Sequence, residues 1–335
     1  MEEISIDGSI LEGGGQILRI STALSALTGK HLRIFNVRAK RSPPGLRMQH
    51  ITAIKSVGAL VDAEVEGLKV GSKEVRFIPK MINGGNFNFD VGTAGSTTLV
   101  LQALTPVTAC APKPVFVEIH GGTNNQWAPP LEYFQHVFLP VLKKMGFEGT
   151  VSLVRRGFYP MGGGIIRAHF NPVKSLKPIE LMEQAKVSHI WGLSYSCRLP
   201  DHITLRMARS AENSLKEAGY KKVEIKVESL QVGHGLCSAN PGCGIILIAE
   251  LDNGFKIGSD SLGEIGKPAE KVGSEAANTL LQQLYVGVSV DPHLADQLIV
   301  WLGLAEGFSG FRTSKLTLHT ITSIEICKQI LGSKF

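Results

Sequence analysis

The sequence predicts an α/β fold of three α/β repeats, the third interrupted by a small inserted α/β domain. Three observations carry that expectation. One order of elements recurs along the chain: strand, loop of small residues, apolar helix, strand, second helix, then a glycine and a further strand. Thirty-seven glycines punctuate it, several of them where a strand hands over to a helix. Between residues 186 and 281 stands a different, self-contained pattern, and the third copy of the order resumes only after it. The expected division is 1–185 plus 282–335 as one body, with 186–281 as the insert.

In the first repeat a strand beginning at Ile4 leads through Glu12-Gly-Gly-Gly-Gln16 into a helix over Ile17–Leu27. A strand over His31–Val37 and a helix over Met48–Leu60 follow. The second repeat has a strand at Asn86–Asp90, the loop Gly92-Thr-Ala-Gly-Ser96 and a helix over Thr97–Ala109. It continues with a strand at Pro114–His120 and a helix over Leu131–Lys144. The third has a helix over His293–Leu304 and another over Thr322–Leu331. Between them Leu316 and Leu318 alternate with Thr317 and His319, which reads as a half-buried strand. The insert reads as a strand (Ile190–Leu199), an amphipathic helix (Asp201–Ala218) and a strand (Lys222–Leu230). A hairpin turning at Asp252-Asn-Gly254 and a helix (Pro268–Leu281) complete it. Repeats arranged about a common centre would bring the strand ends near Arg38, His120 and His319 together.

Composition narrows the class. At 43% hydrophobic and 19% charged residues, without a low-complexity run, the chain is an ordered globular protein. No apolar stretch reaches the length of a membrane span, and Met-Glu-Glu-Ile at the start is no apolar leader, so no membrane partner is expected. The net charge of +6 mildly favours a polyanionic partner. Five scattered cysteines, an odd number, argue for reduced thiols and an intracellular, cytoplasmic or nuclear setting. Cys237 and Cys243 have no common zinc spacing.

Several stretches have residue types suited to phosphate chemistry. Gly13-Gly-Gly15 and Gly92-Thr-Ala-Gly-Ser96 each open a helix, where free backbone N–H groups can meet an anion; tight turns use the same loops without a ligand. Neither is a Walker A sequence. Arg38-Ala-Lys-Arg41-Ser-Pro-Pro-Gly-Leu-Arg47-Met-Gln49-His50 joins cations to proline stiffness, which suits a phosphate clamp, although a solvated basic loop has the same composition. Arg19 is a further cation one turn past Gly15. Glu12, a lone carboxylate beside the glycines, is the metal candidate. Asp296, in the first turn of its helix, is read either as dipole compensation or as part of a site. Arg156-Gly-Phe-Tyr-Pro-Met-Gly-Gly-Gly164 reads from spacing alone as a wide hairpin. Gly121-Gly-Thr-Asn-Asn-Gln-Trp-Ala-Pro129-Pro could floor a nucleoside pocket.

Taken together, Leu11-Glu-Gly-Gly-Gly-Gln-Ile-Leu-Arg19, Arg38–His50, Arg156–Gly164, His293-Leu-Ala-Asp-Gln297 and Leu318-His-Thr320 resemble the RNA 3′-terminal phosphate cyclases, over essentially the whole chain. The resemblance implies three repeats like the C-terminal domain of translation initiation factor 3, with an insert in the third. It implies ATP and a divalent metal (Mg2+ or Mn2+) as cofactors, and an RNA bearing a 3′-terminal phosphate as partner, with self-association left open. The implied reaction adenylylates a histidine, passes AMP to the RNA 3′-phosphate, then closes a 2′,3′-cyclic phosphate as the 2′-OH expels AMP. By position His319 matches the nucleophile. Arg19, Arg38, Arg41, Gln49 and His50 match the cluster that handles phosphates and the RNA end. Gln102, Pro129 and the segment His293, Leu294, Ala295, Asp296 and Gln297 match the nucleotide-binding positions, with histidine at 293 where many relatives carry tyrosine. Two other readings remain: a non-catalytic branch of the family that serves ribosome assembly and lacks the histidine, and a plain RNA-binding module. Enolpyruvyl transferases are built from related repeats but carry six.

Overall fold

Strand β1 (Glu3–Asp7) lies parallel to β2 (His31–Phe35), the two joined by helix α1 (Gly15–Thr28). After helix α2 (Met48–Val61), the antiparallel strands β3 (Glu64–Glu66) and β4 (Val75–Ile78) return, and the sheet has the order β1-β2-β4-β3. The computed structural model describes residues 3–335; Met1 and Glu2, the start of the first expected body, lie outside the described residues.

The same path is traced again. Strand β5 (Gly85–Asp90), helix α3 (Thr97–Ala109) and strand β6 (Val115–Gly121) form a second parallel β–α–β unit. Then come α4 (Leu131–Tyr133), a π-helical turn (Phe134–Phe138) and α5 (Leu139–Lys144). The antiparallel strands β7 (Gly149–Arg155) and β8 (Gly164–Phe170) close a sheet of order β5-β6-β8-β7. Where sequence pattern suggests one continuous helix over 131–144, the structure widens a turn just ahead of Pro140. That proline has no N–H to donate, and its ring crowds the carbonyl one turn back.

A third, shorter pairing joins β9 (Glu180–Leu181) to β14 (Gly310–Phe311), again in parallel. Between them the chain forms a separate sheet of order β11-β10-β12-β13: β10 (Val187–Cys197), β11 (Val223–Leu230), β12 (Gly242–Leu251) and β13 (Lys256–Leu262). Helices α6 (His202–Glu217) and α7 (Ala269–Val286) pack on each other. Helix α7 runs on past Leu281 to Val286 and stops where Gly287 takes a left-handed conformation, φ 68°.

Helix α8 (Pro292–Leu304) and helix α9 (Leu318–Leu331) complete the chain. The expected strand at 316–319 is absent: Thr317 caps α9, and His319 sits in its first turn. Four alternating residues are too few to tell a strand from a helix entry. Helix α1 is central, packing against α2, α3 and α9, while α8 packs on α9 and touches α3. Helices therefore meet in the middle, their apolar faces forming one continuous core in which Ile17, Leu24, Val100, Leu104, Leu298 and Ile326 are buried.

Candidate active site

What converges at the centre is a set of helix beginnings, not strand ends. The first turns of α1, α3, α8 and α9 open onto one cleft of about 470 Å³, lined among others by Gln16, Arg19, Gln102, Pro129, His293 and His319. The sheet β11-β10-β12-β13 adds Asp260 on β13 to the same lining. First-turn N–H groups of α3, α8 and α9 are already held by Ser96, Asp291 and Thr317, so of these four helices α1 alone enters without a side-chain cap, the arrangement most receptive to an anion. His120, the other strand end expected there, instead pairs with Glu118 at 2.8 Å on the second sheet.

His319 projects into the cleft from α9. Its helix is fixed at the entry by Thr317, whose hydroxyl accepts from the N–H of Thr320 at 3.0 Å. Asp296 of α8 clamps the same turn: its Oδ1 accepts from Thr317 Oγ1 at 2.6 Å and from Thr320 Oγ1 at 2.5 Å. Burial raises the Asp296 carboxyl, and the two hydroxyls oppose that rise. So Asp296, expected at the nucleotide, spends Oδ1 on holding the helix of His319.

Gln16 supplies the tautomer of His319. Gln16 Nε2 donates to Ser323 Oγ at 2.8 Å, and Ser323 Oγ donates to the carbonyl of Asp296 at 3.1 Å. That chain turns Gln16 Oε1 toward His319, which donates from Nδ1 at 2.8 Å. With the proton on Nδ1, the neutral ring leaves its Nε2 lone pair free. Sequence reasoning quoted Gln16 but gave it no role, because its partners lie at the other end of the chain.

His50 has the opposite tautomer. Its Nδ1 accepts from the N–H of Arg47 at 3.1 Å at the start of α2, so the proton sits on Nε2, which faces Gly15. Burial and the cations of Arg19, Arg38 and Arg47 push the imidazole down to about 3. His50 is thus neutral, and its Nδ1 lone pair is already engaged by the Arg47 N–H.

The cations differ in how they are engaged. Arg19 lines the cleft, and burial lowers it to about 10, still a cation at neutral pH. Arg38, in a left-handed conformation at φ 51°, donates Nη1 to the carbonyls of Pro43 at 3.0 Å and Gly45 at 2.9 Å, and so holds the proline loop closed. Arg41 pairs with the carboxylate of Glu12 and donates to its carbonyl at 3.1 Å. Gln49 lies half-buried against Gly95 of the second glycine loop. Leu294 and Ala295 are fully buried at 0% exposure, so neither side chain reaches the cleft. Gln297 lines it, with Nε2 on the carbonyl of His293 at 3.1 Å.

Glu12 fits a metal only within limits. Its Oε2 accepts from the N–H of Gly14 at 2.7 Å and its Oε1 holds Arg41. Among the described residues no three His, Cys, Asp or Glu side chains stand where they could hold a metal ion together, so Glu12 could contribute only as a single carboxylate to an ion whose other ligands come from phosphates.

The wide hairpin read from spacing is present, β7 and β8 pairing antiparallel on either side of the loop, and within it Arg156 is almost wholly buried. Its Nη1 donates to Glu132 at 2.7 Å, its Nη2 to Glu228 at 2.9 Å, and its guanidinium stacks over Tyr195 at 4.1 Å. It thereby ties the end of β7 and helix α4 to strand β11. All five cysteines are free, Cys237 and Cys243 included. Among the described residues no helix is long and apolar enough to cross a membrane.

With this geometry in hand, comparison with known proteins gives one family. The family model for "RNA 3′-terminal phosphate cyclase" matches residues 10–335. A protein of that name from Pyrobaculum aerophilum is 46% identical over 332 residues, covering 99% of this chain and 94% of its own. Another from Hyperthermus butylicus is 47% identical over 330 residues, covering 98% and 91%. A third, from Methanopyrus kandleri, is 43% identical over 331 residues, covering 99% and 94%.

Proposed function

The chain belongs to the RNA 3′-terminal phosphate cyclase family, as an enzyme acting on RNA, and from that premise we propose that His319 is adenylylated during its reaction. His319 Nε2 attacks the α-phosphorus of ATP; the N–P bond forms, the bond to the β-phosphate bridging oxygen breaks, and pyrophosphate leaves. An oxygen of the RNA 3′-phosphate then takes the adenylyl group, breaking the N–P bond and giving an RNA-ppA end. The neighbouring 2′-OH attacks the activated phosphorus, loses its proton, and expels AMP to leave the 2′,3′-cyclic phosphate.

The observation that carries this reading is the bond from His319 Nδ1 to Gln16 Oε1, 2.8 Å, which leaves the lone pair on Nε2 of a ring that lines the cleft. Arg19, which lines the cleft, offsets phosphate charge there, and the uncapped start of α1 lies on the same side. Gln102, Pro129 and His293 line the part of the cleft we assign to the nucleoside. A bound Mg2+ or Mn2+ would screen phosphate charge, with Glu12 the residue to hold it. In the same reading residues 186–281 are an insert in a three-repeat body. The free thiols accord with a reducing compartment such as the cytoplasm.

The test is incubation with ATP labelled on the α-phosphate, for wild type and His319→Ala. Acid-labile label on the denatured wild type alone, discharged by RNA with a 3′-phosphate, is the expected result. A wild type that binds ATP yet acquires no label would sink the covalent route.

A further inference from the structure

The cleft is electrically lopsided. Beside Gln16 and His319 stands Arg19, and past His50 come Arg38 and Arg47. In the other direction His319 and His293 both act on Asp296, and His293 acts in turn on Asp260. Asp291 adds negative charge around Asp260, whereas Glu132 is offset by its pair with Arg156. Lys267, which also lines this end, is neutralised by Glu275 and donates to Ser261 Oγ at 3.2 Å. A triphosphate reacting at His319 therefore has its charged tail toward the arginines and its nucleoside toward Asp260.

Asp260 is held there by the backbone. On β13, Gly258 lies flat on the ring of Tyr133, where a Cβ would come within 2.7 Å of the ring carbons. Two residues on, Asp260 shares that face of the strand and lines the cleft. Asp291 anchors both neighbours: it accepts from the N–H of His293 at 2.9 Å and from the N–H of Gly258 at 3.3 Å. Tyr133 donates its hydroxyl to the same carboxylate at 2.6 Å. The half-buried Asp260 carboxylate makes no hydrogen bond or ion pair of its own among the described residues. An acceptor so placed is costly until a donor reaches it.

We infer that Asp260 reads the base of the nucleotide: its carboxylate accepts a hydrogen bond from the exocyclic amine of adenine and turns away a keto oxygen at that place. The inserted sheet then supplies base selectivity to a cleft whose reacting groups lie on the helices. This inference rests on the reading that a nucleotide is activated at His319. Burial raises the Asp260 carboxyl to about 6, so at neutral pH it is ionised and can only accept.

The experiment measures covalent labelling from α-labelled ATP, ITP, GTP and 2′-deoxy-ATP, in wild type, Asp260→Asn and Asp260→Ala, with melting temperatures to show that each variant is folded. Wild type should need about tenfold or more ITP than ATP for half-maximal labelling. Asp260→Asn, whose amide can present N–H as well as C=O, should narrow that ratio about tenfold. Asp260→Ala should lose the ATP preference without gaining affinity for ITP. A ratio unchanged in Asp260→Asn overturns the inference. So does a wild type that prefers GTP or ITP, or one that discriminates against 2′-deoxy-ATP while accepting ITP as it accepts ATP. If no nucleotide labels wild type, the His319 reading fails and this inference falls with it; labelling with an unchanged ratio defeats this inference alone.

Discussion

Gln16 and His319 stand 303 positions apart in the chain, and Gln16 Oε1 meets His319 Nδ1 at 2.8 Å. An amide held by Ser323 and Asp296 thus decides which ring nitrogen is free. Gln16→Ala should slow formation of the covalent adenylate by roughly 10²-fold, because the ring loses its fixed direction and tautomer. Rapid-quench labelling alongside equilibrium ATP binding separates the two effects. Weakened binding with an unchanged labelling rate would show that Gln16 serves the nucleotide and not the histidine.

Asp296 gives a contrasting case. Its Oδ1 holds Thr317 and Thr320, so under the proposed reading it would act on His319 through the entry of α9. Asp296→Ala should cost about 1–2 kcal/mol of stability, as the loss of a cap does. It should lower the labelling rate more than it raises the ATP concentration needed. Asp296→Asn, keeping an acceptor for the hydroxyls, should recover most of both; equal loss in the two variants would mean that the charge itself is required.

Arg156 joins helix α4 to strand β11 through Glu132, which is buried, and Glu228, which is half-buried. Removing it leaves Glu132, 6% exposed and with Oε2 lacking any partner among the described residues, as an uncompensated buried charge. Arg156→Met should destabilise the protein by about 3–5 kcal/mol, and Glu132→Gln in the same chain should return part of that. Denaturant unfolding of the two single variants and the double variant gives the coupling directly. Strictly additive losses would mean that the pair does not act as a unit.

Acid sensitivity should trace in part to His50. Its folded value, about 3, lies below the ordinary 6.5, so between those limits the unfolded chain binds the extra proton. Stability from this source is whole above pH 6.5 and is lost as pH falls toward 3. His50→Gln, which keeps an acceptor for the Arg47 N–H but cannot titrate, should lose less stability than wild type on acidification, by an amount of order a few kcal/mol. Melting curves from pH 7 to pH 4 measure the difference; parallel curves would exclude the histidine as its source.

Long periodic elements were legible in advance. The helix over Thr97–Ala109 and the hairpin at Asp252-Asn-Gly254 stand where apolar spacing and turn chemistry put them. The helix at 318 was not, because Leu316 and Leu318 imitate a strand over four residues. Thr317 followed by Thr320 was the cap signal that would have corrected it. Arg19, Gln102, Pro129, His293, Gln297 and His319 do come together at one cleft. Gln16, Tyr133 and Asp260 went unassigned because their roles exist only through partners remote in sequence: a tautomer, an anchor and a charge gradient leave no local spacing. Arg156 escaped for the same reason, since nothing in a glycine-rich hairpin announces that its first residue is buried between two carboxylates.

One contact has a bearing on how the cleft keeps its width. Gly258 lets β13 rest directly on the ring of Tyr133, and Val137 waits 3.0 Å from where its side chain would begin. A single methyl there has nowhere to go between a strand and an aromatic plane, so it would wedge the sheet outward and carry Asp260 away from His293. The aperture at that end of the active site is gauged by an atom the protein leaves out. Smallness at position 258 is therefore a matter of cleft width as much as of folding.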